Sequence, residues 1–264
     1  MGKYDSSITR VRPVFRQLLQ KDSSGRSWLP KLLALCPENK DYAATLGGKL
    51  GCLIKELLTR RLIGSTELEK CFEYSVPPPV SFLRWLIRNP DKMQWPGNGM
   101  QEFGATTQLW REKLFGKHGH ENQLLAQKEA ERSLNAHGPT GWWTFEGYTS
   151  VDCYLETDDA LIFVEGKRTE PAPSISTNWY AGRNQIVRNL EVARAQAQCR
   201  DYAVVVIAKD TSFQLTPSMA ETSLPHLAPG ERLELLRHYL GCITWKDLCE
   251  ATGIDYSGLP NTVE

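Results

Sequence analysis

The alternation of apolar and polar residues is clearest between residues 150 and 167, where it predicts two strands joined by a tight turn. Residues 151–155 alternate between apolar and more polar side chains, which is the pattern of a strand with one buried face. The short polar side chains of residues 157–159 are typical of a turn. Residues 161–164 form a continuous apolar run, which favours a strand buried on both faces. We therefore expect the rest of the chain to be organised around this hairpin.

Three charged side chains gather at the end of the predicted hairpin. Glu165 and Lys167 share one face of the second strand, because side chains alternate along a strand, and Gly166 leaves the opposite face without a side chain. Strand pairing through the turn then brings Asp152 beside Glu165. Two carboxylates next to one ammonium group predict a site for a divalent cation. An ordinary surface hairpin, with Glu165 and Lys167 in solvent, is the alternative that the pattern leaves open.

The cation that suits these residues is Mg²⁺, with Mn²⁺ as a substitute. Mg²⁺ is usually held by one or two carboxylates together with water and substrate phosphate oxygens, which Asp152 and Glu165 satisfy. Lys167 would then lie within reach of a scissile phosphate or an attacking water, where it stabilises developing negative charge. The hairpin is therefore a candidate catalytic site for phosphate chemistry.

Four more elements are predicted around the hairpin. A helix runs from about His120 to Ala136, with an apolar stripe four residues apart, and a strand follows from Trp142 to Tyr148. A second helix lies within Trp179–Cys199. The β-branched run Tyr202–Ala208 is typical of a central strand buried on both faces.

Polar residues at the starts of the two helices are further candidates for the site. Glu121 begins the first helix, where a carboxylate is also favourable simply because of the helix dipole. In the second helix, Arg183 and Arg188 are candidates for phosphate binding, aided by the helix N-terminus, although a solvated helix start explains them equally well. Arg168, next to the hairpin, is a third candidate contact to nucleic acid.

Asp152 and, across the hairpin, Glu165-Gly166-Lys167 resemble the signature of the PD-(D/E)XK nuclease superfamily. The resemblance covers residues from about 119 to 210 and implies an α/β, restriction-endonuclease-like fold with an α-β-β-β-α-β core and a mixed sheet. It also implies that Glu121 completes the metal site and that Gln185 faces it. The family signature has a proline immediately before the aspartate. This sequence departs from it, because Ser150-Val151 precede Asp152.

The remainder of the chain is predicted to be mainly helical. Residues 1–115 form a helical N-terminal region with helices at Val11–Gln20 and Tyr42–Arg61 and a further helix start at Ser65-Thr66, and residues 116–264 form the nuclease-like domain. The tail from Pro229 to Thr252 is predicted to be helical as well. A recognition or partner-binding role for residues 1–115 is compatible with this pattern.

Composition narrows the function only a little. The chain has 31 Lys and Arg residues and 31 Asp and Glu residues, so its formal net charge is zero. The overall charge therefore does not indicate a nucleic-acid partner. No apolar run is long enough to span a bilayer and the N-terminus does not resemble a signal peptide. Seven cysteines without a CxxC pair favour reduced thiols and a cytoplasmic protein. Phosphate-binding loops of the Walker type, the dinucleotide fingerprint and the Gly-x-Ser-x-Gly elbow are absent.

The sequence therefore predicts an Mg²⁺-dependent phosphodiesterase acting on nucleic acid, most readily a DNA endonuclease. The resemblance suggests a role in bacterial or phage restriction or defence, while repair and the processing of mobile elements are equally compatible with the site. Asp152, Glu165, Lys167 and Gln185 are the expected catalytic residues. Two alternatives come from other classes: an inactive nuclease-fold module that binds nucleic acid, and a protein whose helical N-terminal region binds a protein partner. A homodimer would suit cleavage of both strands.

Overall fold

The computed structural model describes residues 6–50, 71–96, 104–157, 159–168 and 174–262 of the 264-residue chain. Its centre is a five-stranded sheet with the order β1-β2-β3-β4-β5. The strands are β1 Phe72–Val76, β2 Thr149–Glu156, β3 Ala160–Gly166, β4 Asp201–Ala208 and β5 Tyr239–Thr244. β2 runs antiparallel to both β1 and β3, whereas β3, β4 and β5 run parallel to one another. The protein is thus a mixed α/β structure.

Helices cover both faces of this sheet. In the described residues they are α1 Arg12–Lys21, α2 Leu29–Leu35, α3 Lys40–Leu50, α4 Val80–Arg88, α5 Ala105–Leu114, α6 His120–His137, α7 Gln185–Ala197, α8 Pro217–Ser223, α9 Pro229–Leu236 and α10 Trp245–Thr252. A short π-helix, Ser7–Val11, leads directly into α1. None of the helices that the structure describes is both long and apolar enough to cross a membrane.

Two hydrophobic cores form on the two faces of the sheet, and a third lies beside them. The first core packs α1, α2 and α10 against Cys153, Ile162 and Val164. The second packs α7 against Phe163 and the other side chains of the opposite face. An aromatic-rich third cluster joins α4, α6 and the segment that carries Trp143. Residues on both sides of position 115 contribute to the first two cores.

Several predicted elements are confirmed. β2 and β3 form the predicted hairpin, and β4 is buried along most of its length. α1 buries one apolar side, as the sequence indicated, consisting of Val14, Phe15, Leu18 and Leu19. α6 agrees with the predicted helix to within one residue. α7 buries its predicted face but begins only at Gln185, because the Asn184 side chain accepts hydrogen bonds from two backbone amides of its first turn.

Two predictions about the sheet and its surroundings were wrong. Residues 142–148 form turns and irregular backbone rather than a strand, and Trp143 and Phe145 pack into the third cluster instead. The first strand of the sheet is instead β1, which pairs with β2 and is the one strand in the described part of the otherwise mainly helical residues 1–115. The predicted helical tail is interrupted by β5, where Gly241 adopts a positive φ of 97° that a helix does not permit. The predicted helix at 42–61 is seen as α3 to residue 50; its remainder, the helix start at 65–66 and part of the loop after residue 168 lie outside the described residues.

Candidate active site

The carboxylate of Glu165 is the centre of the candidate site. Glu165 is the penultimate residue of β3. In the antiparallel register Cys153 pairs with Val164, so that Asp152 lies opposite Glu165 one position further along. One Asp152 carboxylate oxygen, Oδ2, accepts a hydrogen bond of 2.8 Å from the backbone amide of Gly166. The structure thus brings together Asp152 and the end of β3, as the hairpin pattern predicted.

Lys167 and Gln185 complete a triangle with this carboxylate. Lys167 Nζ lies 2.8 Å from Glu165 Oε1 and donates to Gln185 Oε1 at 3.0 Å. Gln185 Nε2 in turn donates to Glu165 Oε1 at 2.6 Å. The Glu165 side chain is 2% exposed and that of Lys167 is 14% exposed. These three side chains contact one another at the end of the central strand β3 and are largely buried. They therefore do not form the solvated surface hairpin of the alternative interpretation.

Asn189 is a site residue to which the sequence analysis assigned no role. Its Nδ2 donates a hydrogen bond of 3.0 Å to Glu165 Oε2, and the residue is fully buried. Asn189 follows Gln185 by four residues on α7, so both side chains lie on the same face of the helix. That spacing was the signal available in the sequence. Glu165 therefore receives donors on both of its oxygens.

The backbone at residues 166 and 167 is fixed by contacts from distant parts of the chain. Ser6 Oγ donates to the Gly166 carbonyl at 2.9 Å, and Trp245 Nε1 donates to the Lys167 carbonyl at 2.8 Å. A side chain at Gly166 would overlap Val11 Cγ2 and lie 3.1 Å from the Trp245 ring. Glycine is required here because the π-helix before α1 passes directly over the strand.

The expectation that Arg183 contacts phosphate has to be corrected. Its side chain is 0% exposed and forms a two-pronged ion pair with Glu146, at 2.7 and 3.0 Å, and a further pair with Glu191 at 2.7 Å. Its guanidinium also stacks on the Phe82 ring, 3.8 Å from the ring centre. A buried cation that already neutralises two carboxylates cannot meet a phosphate. Arg183 therefore has a structural role: it links Glu146 to Glu191 of α7 in the protein interior.

Arg188 and Arg168 remain candidates for substrate contact. Burial lowers the pKa of the Arg188 guanidinium, although the carboxylates of Glu146 and Glu165 act in the opposite direction. Arg188 is therefore within electrostatic range of both the buried ion-pair network and Glu165. Arg168 is half-buried, and its Nη2 lies 3.4 Å from Asn261 Oδ1. A phosphate contact by either residue stays a prediction.

Glu121 does not join the other two acidic residues. It lies exposed in the first turn of α6, a helix that packs against α4 and α5. Within the described ranges, no group of three or more His, Cys, Asp or Glu side chains is placed to hold a metal ion. Among the described residues at this end of the hairpin, the carboxylates are those of Asp152 and Glu165.

Comparison with known proteins adds no relative. No family model, curated protein or solved structure matches this chain. Its function therefore has to be inferred from the arrangement of its own residues.

Proposed function

We propose that the protein is a metal-dependent nuclease, most readily a DNA endonuclease, whose active site is the Asp152–Glu165–Lys167–Gln185 group. The observation that carries the proposal is the contact of a buried carboxylate with a lysine and a glutamine at the end of β3, beside a second carboxylate on β2.

The donor set suits a hard cation such as Mg²⁺. A carboxylate has about four lone-pair positions. Glu165 uses two of them on Oε1, for Lys167 and Gln185, and one on Oε2, for Asn189. One position on Oε2 is left for a cation, and Asp152 supplies a second carboxylate. Two carboxylates are sufficient, because Mg²⁺ fills its remaining positions with water and substrate oxygens.

The side chains of the site divide the work around such a cation. A bound Mg²⁺ would supply an activated water and stabilise the oxygens of an in-line displacement at phosphorus. Lys167 provides a positive charge that is held in place by Glu165 and Gln185, so it needs no reorganisation when negative charge develops on the phosphate. The single amide group of Gln185 hydrogen-bonds both Lys167 and Glu165 and so fixes the two side chains relative to each other.

The order of elements also supports the proposal. Along the chain, α1, β1, β2, β3, α7 and β4 follow the same order as the helix, three strands, helix and strand of the resembled superfamily. In the described residues, α2 and α3 are inserted between α1 and β1, and α4–α6 between β1 and β2. The first helix of that order is then α1 and not α6. Because α1 and the described residues before it contain no acidic residue, the Glu that the superfamily often places on this helix has no counterpart there. We therefore propose a site with two carboxylates.

The test is cleavage of supercoiled plasmid, single-stranded DNA and RNA by the purified protein with Mg²⁺, Mn²⁺ or EDTA. We expect cleavage that requires the metal and that Asp152→Asn abolishes. Glu121→Gln is the matched control, since Glu121 lies away from the hairpin, and it should cleave as the wild type does. Retention of DNA without cleavage by any form would favour the inactive binding module, and equal cleavage by Asp152→Asn would refute the assigned site.

A further inference from the structure

The Glu165 carboxylate is held differently on its two oxygens. Oε1 receives both of the longer and more accessible donors, Lys167 and Gln185. Oε2 receives only Asn189, whose side chain is short and completely buried. Oε2 is therefore the oxygen with fewer hydrogen bonds, and Asn189 is the residue that contacts it.

The Asn189 amide itself is incompletely satisfied. Its Nδ2 donates to Glu165, whereas its Oδ1 is buried and has no hydrogen-bond partner in the part of the chain that the structure describes. Burying an amide oxygen without a partner costs stability. An apolar side chain of similar shape would avoid that cost, so Asn189 is not the residue that packing alone favours at this place in α7. What asparagine offers at this position and an apolar residue does not is the hydrogen bond from Nδ2 to Glu165.

From this geometry we propose that Asn189 is a positioning residue for the metal ligand Glu165. Its amide fixes the plane of the carboxylate, so that the open lone pair of Oε2 points out of the core toward the cation. The inference rests on the proposed function, because it assumes that Glu165 is a metal ligand.

The donor of Asn189 can be removed in two ways. Leucine at position 189 fills about the same space without a donor, so Glu165 Oε2 loses its orientation. Alanine removes the donor as well but leaves the space empty. The two substitutions therefore separate the hydrogen bond from the packing of the side chain.

The experiment is a calorimetric Mn²⁺ titration of the full chain without nucleic acid. Removal of a residue that orients a metal ligand typically weakens metal binding by about 10–100-fold. We expect a loss of that size for Asn189→Leu, with a cooperative urea unfolding transition that shows the variant to be folded. Asn135→Leu, at an exposed position of α6, is the matched control and should bind Mn²⁺ as the wild type does.

Asn189→Ala supplies a second variant and replaces Asn189→Leu if the latter does not fold. Its affinity for Mn²⁺ should also fall by about 10–100-fold, because it lacks the same donor. Wild-type Mn²⁺ affinity in either folded variant overturns the role of Asn189 while leaving the nuclease proposal intact. Absence of Mn²⁺ binding and of cleavage by the wild type overturns the proposed function and this inference together.

Discussion

The buried Arg183 gives the sharpest prediction about stability. We consider Arg183→Met, which keeps a long side chain over Phe82 but removes the cation between Glu146 and Glu191. All three side chains in this network are at most 1% exposed. Neither carboxylate can regain water without opening the structure. Methionine would also leave the backbone carbonyl of Ser223, which Arg183 Nη1 contacts at 3.0 Å, without this donor.

The expected cost follows from that burial. Removal of one partner from a buried ion pair costs about 3–5 kcal/mol, since it leaves an uncompensated charge in the interior. Because two carboxylates lose the same cation, we expect the upper end, about 5 kcal/mol. Native domains are stable by about 5–15 kcal/mol, so the variant should be marginal. With a urea slope of about 3 kcal/mol/M, the unfolding midpoint should fall by about 1.7 M.

The loss should also depend on pH. Burial alone would raise the pKa of Glu191, but Arg183 and then His226 lower it below its ordinary value. In the wild type this contribution to stability is present above the unfolded pKa of about 4.3 and is lost as pH falls through the lower folded pKa. Without Arg183, burial raises the pKa of Glu191, and the folded variant takes up a proton more readily than the unfolded chain does. The difference in stability should therefore be larger at pH 7 than at pH 4.5.

Urea unfolding at both pH values measures this effect, with Arg132→Met as the control at an exposed ion pair of α6. The control should unfold at the wild-type midpoint. Replacing Arg183, Glu146 and Glu191 together by apolar residues should restore much of the stability that Arg183→Met loses. If Arg183→Met unfolds at the wild-type midpoint but retains less DNA at low salt, Arg183 faces a phosphate and the account of this network is refuted.

Two shorter predictions concern packing and thiol reactivity. Gly166→Ala should destabilise the fold by about 1–3 kcal/mol because its methyl group overlaps Val11, and adding Val11→Ala should recover part of the loss; equal midpoints for both variants would contradict the close contact. Native protein should react rapidly with a thiol reagent at the exposed Cys199 and slowly at Cys36, since burial raises the pKa of Cys36 to about 12. Cys199→Ser should remove one fast-reacting thiol, and equal rates for the two cysteines in the folded protein would contradict this.

The hairpin and its site were predictable because the sequence encodes them locally. Alternation fixes which strand residues share a face, so Glu165 and Lys167 had to lie on the same side of β3. Gln185 was implied only by the resemblance, and Asn189 could have been found from its helical spacing to Gln185. The contact of either residue with Glu165 depends on how α7 packs against the sheet, which no local pattern specifies.

The elements that the sequence analysis missed depend on contacts between distant parts of the chain rather than on local patterns. Residues 142–148 are rich in aromatic side chains, as strands often are, yet they are drawn into a cluster with α4 and α6. Leu240 falls at helical spacing from Leu233 and Leu236, so the sequence favoured one continuous helix where α9 ends and β5 begins. The burial of Arg183 was also invisible, since its partners Glu146 and Glu191 meet it only in the folded chain.

The most direct test of the assigned active site compares two lysine variants in plasmid cleavage with Mg²⁺. Lys167→Met removes the ammonium that contacts Glu165 and Gln185, whereas Lys128→Met removes an exposed lysine from α6. We predict that Lys167→Met loses cleavage but remains folded and still retains DNA, and that Lys128→Met cleaves at the wild-type rate. Cleavage by Lys167→Met at the wild-type rate would contradict the assignment of the active site to the hairpin.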